Sequence, residues 1–130
     1  MTNTNTFMHS VNVQAAVIVP DALNTWVDFD VDIRPLGGKY TTSNDAISDI
    51  LMEIAEELSV EGLVFPGCFS NIGGAYCITL TNGVRIFLGK FWPDEVGLDG
   101  YVRMWRQENC IDVYQFESLI VKCAMKKRPL

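Results

Sequence analysis

The chain has a single histidine, His9, and its four cysteines (Cys68, Cys77, Cys110 and Cys123) form no Cys-x-x-Cys pair. A structural zinc needs closely spaced thiolates or several imidazoles, so neither a metal nor any other cofactor is expected. No apolar run approaches the roughly 18 residues of a membrane span. The opening residues Met1 to Thr6 are polar, where a secretory leader would be basic and then apolar. These absences predict a cytoplasmic protein with reduced thiols and no membrane contact. Internal repeats, linkers and further low-complexity segments are also missing. The expectation is one domain over residues 1–130, with residues 1–8 as a flexible lead-in.

What the chain does have is enough apolar material to fold. It is 130 residues long, 48% hydrophobic and 20% charged, and a chain of that size buries about two-thirds of its surface. Its most ordered stretch is Ala75 to Phe91, two β-rich runs around Asn82-Gly83. Asn-Gly favours a two-residue type I′ turn, because both central positions need φ > 0. That turn places Thr81 opposite Val84, Ile78 opposite Phe87 and Cys77 opposite Leu88. Tyr76, Ile78, Leu80, Phe87 and Phe91 then share one face. Both faces carry apolar side chains, so the sheet should be covered on each side at least in part.

Upstream, Val11 to Val19 is β-branched and ends at Pro20, which predicts a strand. Trp26 to Arg34 alternates with a period of two, Val27, Phe29, Val31 and Ile33 on one face and Asp28, Asp30, Asp32 and Arg34 on the other. This is a half-buried strand with a wet, acidic back, paired with the first as a hairpin. Thr42 or Ser43 caps a helix over 43–59, with Ile47, Ile50, Leu51, Ile54 and Leu58 on one stripe and Gly62 as its stop. Leu63 to Phe65 suggests a short strand, and Asn71 to Gly74 a loop. Tyr101 to Gln107 suggests a third meander strand. Asp112 with Gln115 resembles a capping box, and Val113, Phe116, Leu119, Ile120, Cys123 and Ala124 fit a helical face. The predicted fold is α+β, an antiparallel sheet of four to five strands with two helices, in the order β-β-α-β-β-(β)-α.

Charge is unevenly placed. Residues 1–61 carry ten carboxylates against Arg34 and Lys39, whereas residues 62–130 carry six against eight basic residues. An acidic half of this kind argues against direct nucleic-acid binding and leaves a basic protein partner. Two sets of carboxylates form the display. On the helix, Asp45, Asp49, Glu53 and Glu57 are four residues apart with Glu56 beside them, and no Lys or Arg offsets them. On the strand, Asp28, Asp30 and Asp32 stand about 7 Å apart along one face. A solvated face is the simpler explanation of either set, and a binding face for a basic surface is the sharper one. A second candidate patch is Trp92 with Tyr101, Arg103, Trp105 and Arg106, residue types enriched at binding hot spots.

Other chemistries fit poorly. A calcium loop needs glycine at its sixth position, and counting from Asp28 that position is Ile33. Gly37-Gly38-Lys39 before a helix lacks the upstream glycine and the following Ser or Thr of a phosphate-binding loop. A Cys68–His9 nucleophile pair has no third group to orient it. No catalytic constellation results, and the expected role is binding. The best match of class is a small acidic inhibitor that engages a basic, nucleic-acid-binding surface, such as a phage or mobile-element anti-defence (anti-CRISPR-like) protein. A toxin-neutralising immunity protein and a small-molecule or peptide sensor are the alternatives.

Overall fold

The alternation after Trp26 sets the architecture, because it gives one strand a wholly apolar side on which both helices can rest. A computed structural model of the chain describes residues 7–19, 24–63, 69–72, 75–89, 101–106 and 110–125. Its strands are β1 (Ser10–Ile18), β2 (Asn24–Asp32), β3 (Phe69–Ile72), β4 (Ala75–Thr79), β5 (Arg85–Gly89), β6 (Tyr101–Arg106) and β7 (Ile111–Asp112), and its helices are α1 (Ser43–Val60) and α2 (Val113–Met125). The fold is α+β with a mostly antiparallel sheet and two helices, and the order of elements follows the prediction. Short strands β3 and β7 extend the sheet beyond the four or five expected. Residues 71 and 72, expected in a loop, belong to β3. Beyond Leu63, the suggested Leu63 to Phe65 strand lies outside the described residues, as do Cys68 and the exit at Phe91 and Trp92.

The strands lie in the order β3-β4-β5-β1-β2-β6, with β7 also paired to β2. β1 and β2 form the expected antiparallel hairpin, Ser10 opposite Asp32 through Val17 opposite Thr25. β6 is a strand as predicted, yet it does not continue the meander. It runs parallel to β2, with Trp26 level with Met104 and Asp28 level with Arg106. The last part of the chain therefore crosses the sheet to close its opposite side.

The Asn-Gly hairpin forms with a different turn. The Gly83 N–H donates to the Leu80 carbonyl at 3.1 Å and the Leu80 N–H to the Val84 carbonyl at 2.8 Å. The loop is thus three residues, Thr81-Asn82-Gly83, with Gly83 at positive φ (91°), as in a type I turn followed by a left-handed bulge. The Asn82 side chain accepts from the Val84 N–H at 3.0 Å, which holds the turn. One extra loop residue slips the register by one, so Ile78 faces Ile86 and Cys77 faces Phe87. Such a slip moves each affected side chain to the other face. Ile78 and Leu80 join Val84, Ile86 and Leu88 in the core, while Cys77 and Phe87 are buried on the reverse side.

Both helices pack on one face of the sheet, where Phe29 of β2 meets Phe116 of α2 edge-on at 5.8 Å. Ile47, Ile50, Ile54 and Leu58 of α1 are at most 1% exposed in the same core. Thr42 caps α1, its Oγ1 accepting from the Asp45 N–H at 3.3 Å. At the other end Gly62 turns left-handed (φ 74°), its N–H bonding the Ser59 carbonyl and the Leu63 N–H the Leu58 carbonyl, a paired C-terminal closure. α2 opens with the expected capping box. Asp112 Oδ1 accepts from the Tyr114 N–H at 2.6 Å, and Gln115 Oε1 from the Asp112 N–H at 3.3 Å. Before β1, the Met8 N–H donates to the Tyr40 carbonyl at 3.0 Å, so the fold takes hold inside the stretch expected as a lead-in.

Candidate functional site

The two carboxylate sets end up on opposite sides of the sheet. Val27, Phe29 and Val31 face the helices, so Asp28, Asp30 and Asp32, one residue out of phase, point away from them. The back of β2 is not wet throughout. Asp28 is 5% exposed, and Asn12 of β1 donates from Nδ2 to Asp28 Oδ1 at 2.6 Å and to Asp30 Oδ1 at 3.0 Å. Asn12 is opposite Asp30 in the hairpin register, which places its amide between the two acids. Asp32 is held by Arg34, whose Nε and Nη2 reach Oδ1 at 3.0 Å and Oδ2 at 2.7 Å. That side-chain clamp, with the Arg34 N–H, brings its carboxyl down to about 2. The strand acids are therefore occupied within the fold, and they do not join the helix acids in one surface.

The α1 row is different. Asp45, Asp49, Glu56 and Glu57 are exposed and Glu53 is half-buried. Among the described residues no ion pair involves the row, and α1 itself carries no basic residue to offset it. Asp49 accepts a hydrogen bond from the Tyr40 hydroxyl at 2.5 Å. Burial first, and then Asp49 and Glu53, push the Tyr40 hydroxyl up to about 12, so it stays a donor. Met52 and Val60, 53% and 82% exposed, lie in the same outward arc of α1 and add apolar contact to a charged face.

Glu117 was not among the residues singled out from the sequence. It lies on α2 four residues after Val113 and three before Ile120, inside the buried stripe, and that spacing was a usable signal. Glu117 is 9% exposed and its Oε2 has no hydrogen-bond partner. Burial, followed by Glu53, Glu57 and Glu56 of α1, raises its carboxyl to about 7.

Of the second-choice patch, Tyr101, Arg103, Trp105 and Arg106 are in β6, and Trp92 lies outside the described residues. The pairing of β6 with β2 has a register irregularity between Asn24 and Trp26. A cleft of about 450 Å³ gathers His9, Asp32, Arg34, Cys110 and Asp112. The histidine thus shares a cleft with Cys110. Desolvation first, then Asp32 and Asp30, pushes the Cys110 thiol up, the reverse of what a thiolate nucleophile needs. Among the described residues no group of three or more His, Cys, Asp or Glu side chains is placed to hold a metal ion. A second, more apolar cleft of about 590 Å³ runs along α2, lined by Tyr114, Leu119 and Cys123 among others.

Compared with protein-family models, curated proteins and solved structures, the chain matches none.

Proposed function

We propose that the chain is a protein-binding protein, an inhibitor that lays the outer face of α1 on a basic surface of its partner. The observation that supports this reading is the row Asp45, Asp49, Glu53, Glu56 and Glu57 on a helix with no basic residue. Like charges four residues apart destabilise a helix by a few tenths of a kcal/mol per pair. A cationic partner relieves that repulsion and is steered toward the row before contact. Phosphate backbones would be repelled, so the partner is a protein that itself grips an anion such as nucleic acid. Anti-defence inhibitors of phage and mobile elements, and toxin-neutralising immunity proteins, are the classes such a surface suits, in the cytoplasm. Among the described residues no helix is long and apolar enough to cross a membrane.

Charge reversal at Glu56 and Glu57 tests the proposal, because both are exposed and neither touches the Tyr40–Asp49 bond. Glu56→Lys/Glu57→Lys should fold normally and lose salt-sensitive capture of basic proteins on the immobilised chain. Undiminished capture by the double variant overturns it. The sensor alternative draws on the cleft along α2, and a small molecule that raises the melting temperature with no protein partner present would favour it.

A further inference from the structure

We infer that Glu117 and the α1 row form one proton-linked binding unit, in which a cationic partner on α1 ionises Glu117, so that binding releases a proton and tightens as pH rises through neutrality. The inference rests on the basic-surface reading above and specifies how that face is regulated.

The geometry starts with a carboxyl placed where an apolar side chain is expected. Glu117 lies between Val113 and Ile120, both 0% exposed, and is itself 9% exposed. Its Oε2 is buried without a hydrogen-bond partner. An ionised carboxylate in that position has no hydrogen-bond donor at Oε2 to stabilise it. The element packed across from it is α1, and the groups acting on it there are Glu53, Glu57 and Glu56. Every one of them is acidic. No described charged group of β1, β2 or β7, which also pack against α2, acts on it, and neither does Lys122 of its own helix. The carboxyl is therefore held neutral by burial and by the same side chains that form the proposed docking row.

The coupling follows from that sharing. A lysine or arginine seated against Glu53 and Glu57 offsets the part of the shift that these acids contribute on top of burial. The proton then leaves to solvent, and a further negative charge stands behind the row. Linkage makes the effect reciprocal: whatever favours ionised Glu117 also favours the cation. An apolar or amide side chain in place of Glu117 would keep the packing and lose the coupling.

Decalysine serves as the probe with the full chain at fixed ionic strength. Its affinity for the natural chain should rise about fivefold between about pH 6 and about pH 8, with proton release seen as a dependence of the binding heat on buffer ionisation enthalpy. Glu117→Gln should bind with little dependence on pH, and the difference between the two chains isolates the contribution of Glu117. In the free natural chain the Glu117 carboxyl carbon, followed by NMR, should titrate near neutrality. If Glu56→Lys/Glu57→Lys abolishes binding but the natural chain and Glu117→Gln share one pH profile, the proton linkage is wrong and the acidic face stands. If that charge reversal leaves decalysine binding unchanged, both fail. A carboxyl titrating in the ordinary glutamate range overturns the linkage without any binding measurement.

Discussion

Asn12 places a single amide nitrogen between two carboxylates, and the hairpin depends on that arrangement. Replacing it by alanine removes charge-assisted bonds to Asp28 and Asp30, one of which is buried, and should cost about 1–3 kcal/mol in a denaturant titration. Glu117 acts in the opposite sense. Its carboxyl is raised from 4.5 to about 7 in the folded chain, so the folded state holds a proton that the unfolded state has released. Stability is then highest below about pH 4.5 for this group and falls as pH rises through about 7. Glu117→Gln should remove that fall and stabilise the chain above neutrality by on the order of 2–3 kcal/mol, read by comparing the two chains' change in melting temperature between about pH 5 and about pH 8. Neither role was legible residue by residue. The alternation at Asp28 told which face it occupies, whereas its burial depends on Asn12 from another strand and on what lies over it. Glu117 kept helical spacing with the apolar stripe, but a carboxylate is ordinarily set aside when a core is read from sequence.

Among the elements, those closed by local chemistry were legible and those defined by pairing were less so. Thr42 before α1, Gly62 after it and the Asp112–Gln115 pair before α2 signal helix ends through contacts within a few residues, and each forms as predicted. Asp112→Ala should accordingly cost about 1 kcal/mol, since the Tyr114 N–H loses its acceptor. The hairpin shows the limit. Asn82-Gly83 marked the turn correctly, yet the loop includes Thr81, and one residue decides which face every β4 side chain occupies. Gly83, at φ 91°, takes a conformation that a side chain strains. Gly83→Ala should destabilise by roughly 1 kcal/mol or more in equilibrium unfolding. Asn82→Ala loses the bond from the Val84 N–H and the one to the Ala124 carbonyl of α2, so its cost reports on the helix contact as well as on the turn. The parallel seating of β6 was not legible, because its partner strand is more than seventy residues away and no local signal specifies it.

On the scale of the whole molecule, acidic and basic residues are divided between the two halves of the chain, but the acids are divided again by the sheet. The strand set is engaged within the fold, Asp28 and Asp30 by the Asn12 amide and Asp32 by Arg34, and the α1 set remains outward, so the net charge of −6 does not describe either display. Binding through α1 should weaken steeply with added salt, because exposed charges are screened beyond about 10 Å at 0.1 M. The order β3-β4-β5-β1-β2-β6 has another consequence, which concerns how the molecule is made. The β1–β2 hairpin, made before the other described strands, becomes the centre of the sheet, and its two borders are filled by β5 and β6 from later in the sequence. Until residues 85–106 arrive, both borders present unpaired backbone, the condition that favours strand-to-strand association between chains. A fragment ending at residue 63 should self-associate as seen by light scattering, and a monodisperse fragment would refute this. The complete chain, dominated by pairings distant in sequence, should refold on a timescale of about milliseconds to seconds. The central strands are thus synthesised before their neighbours and are the last to be protected.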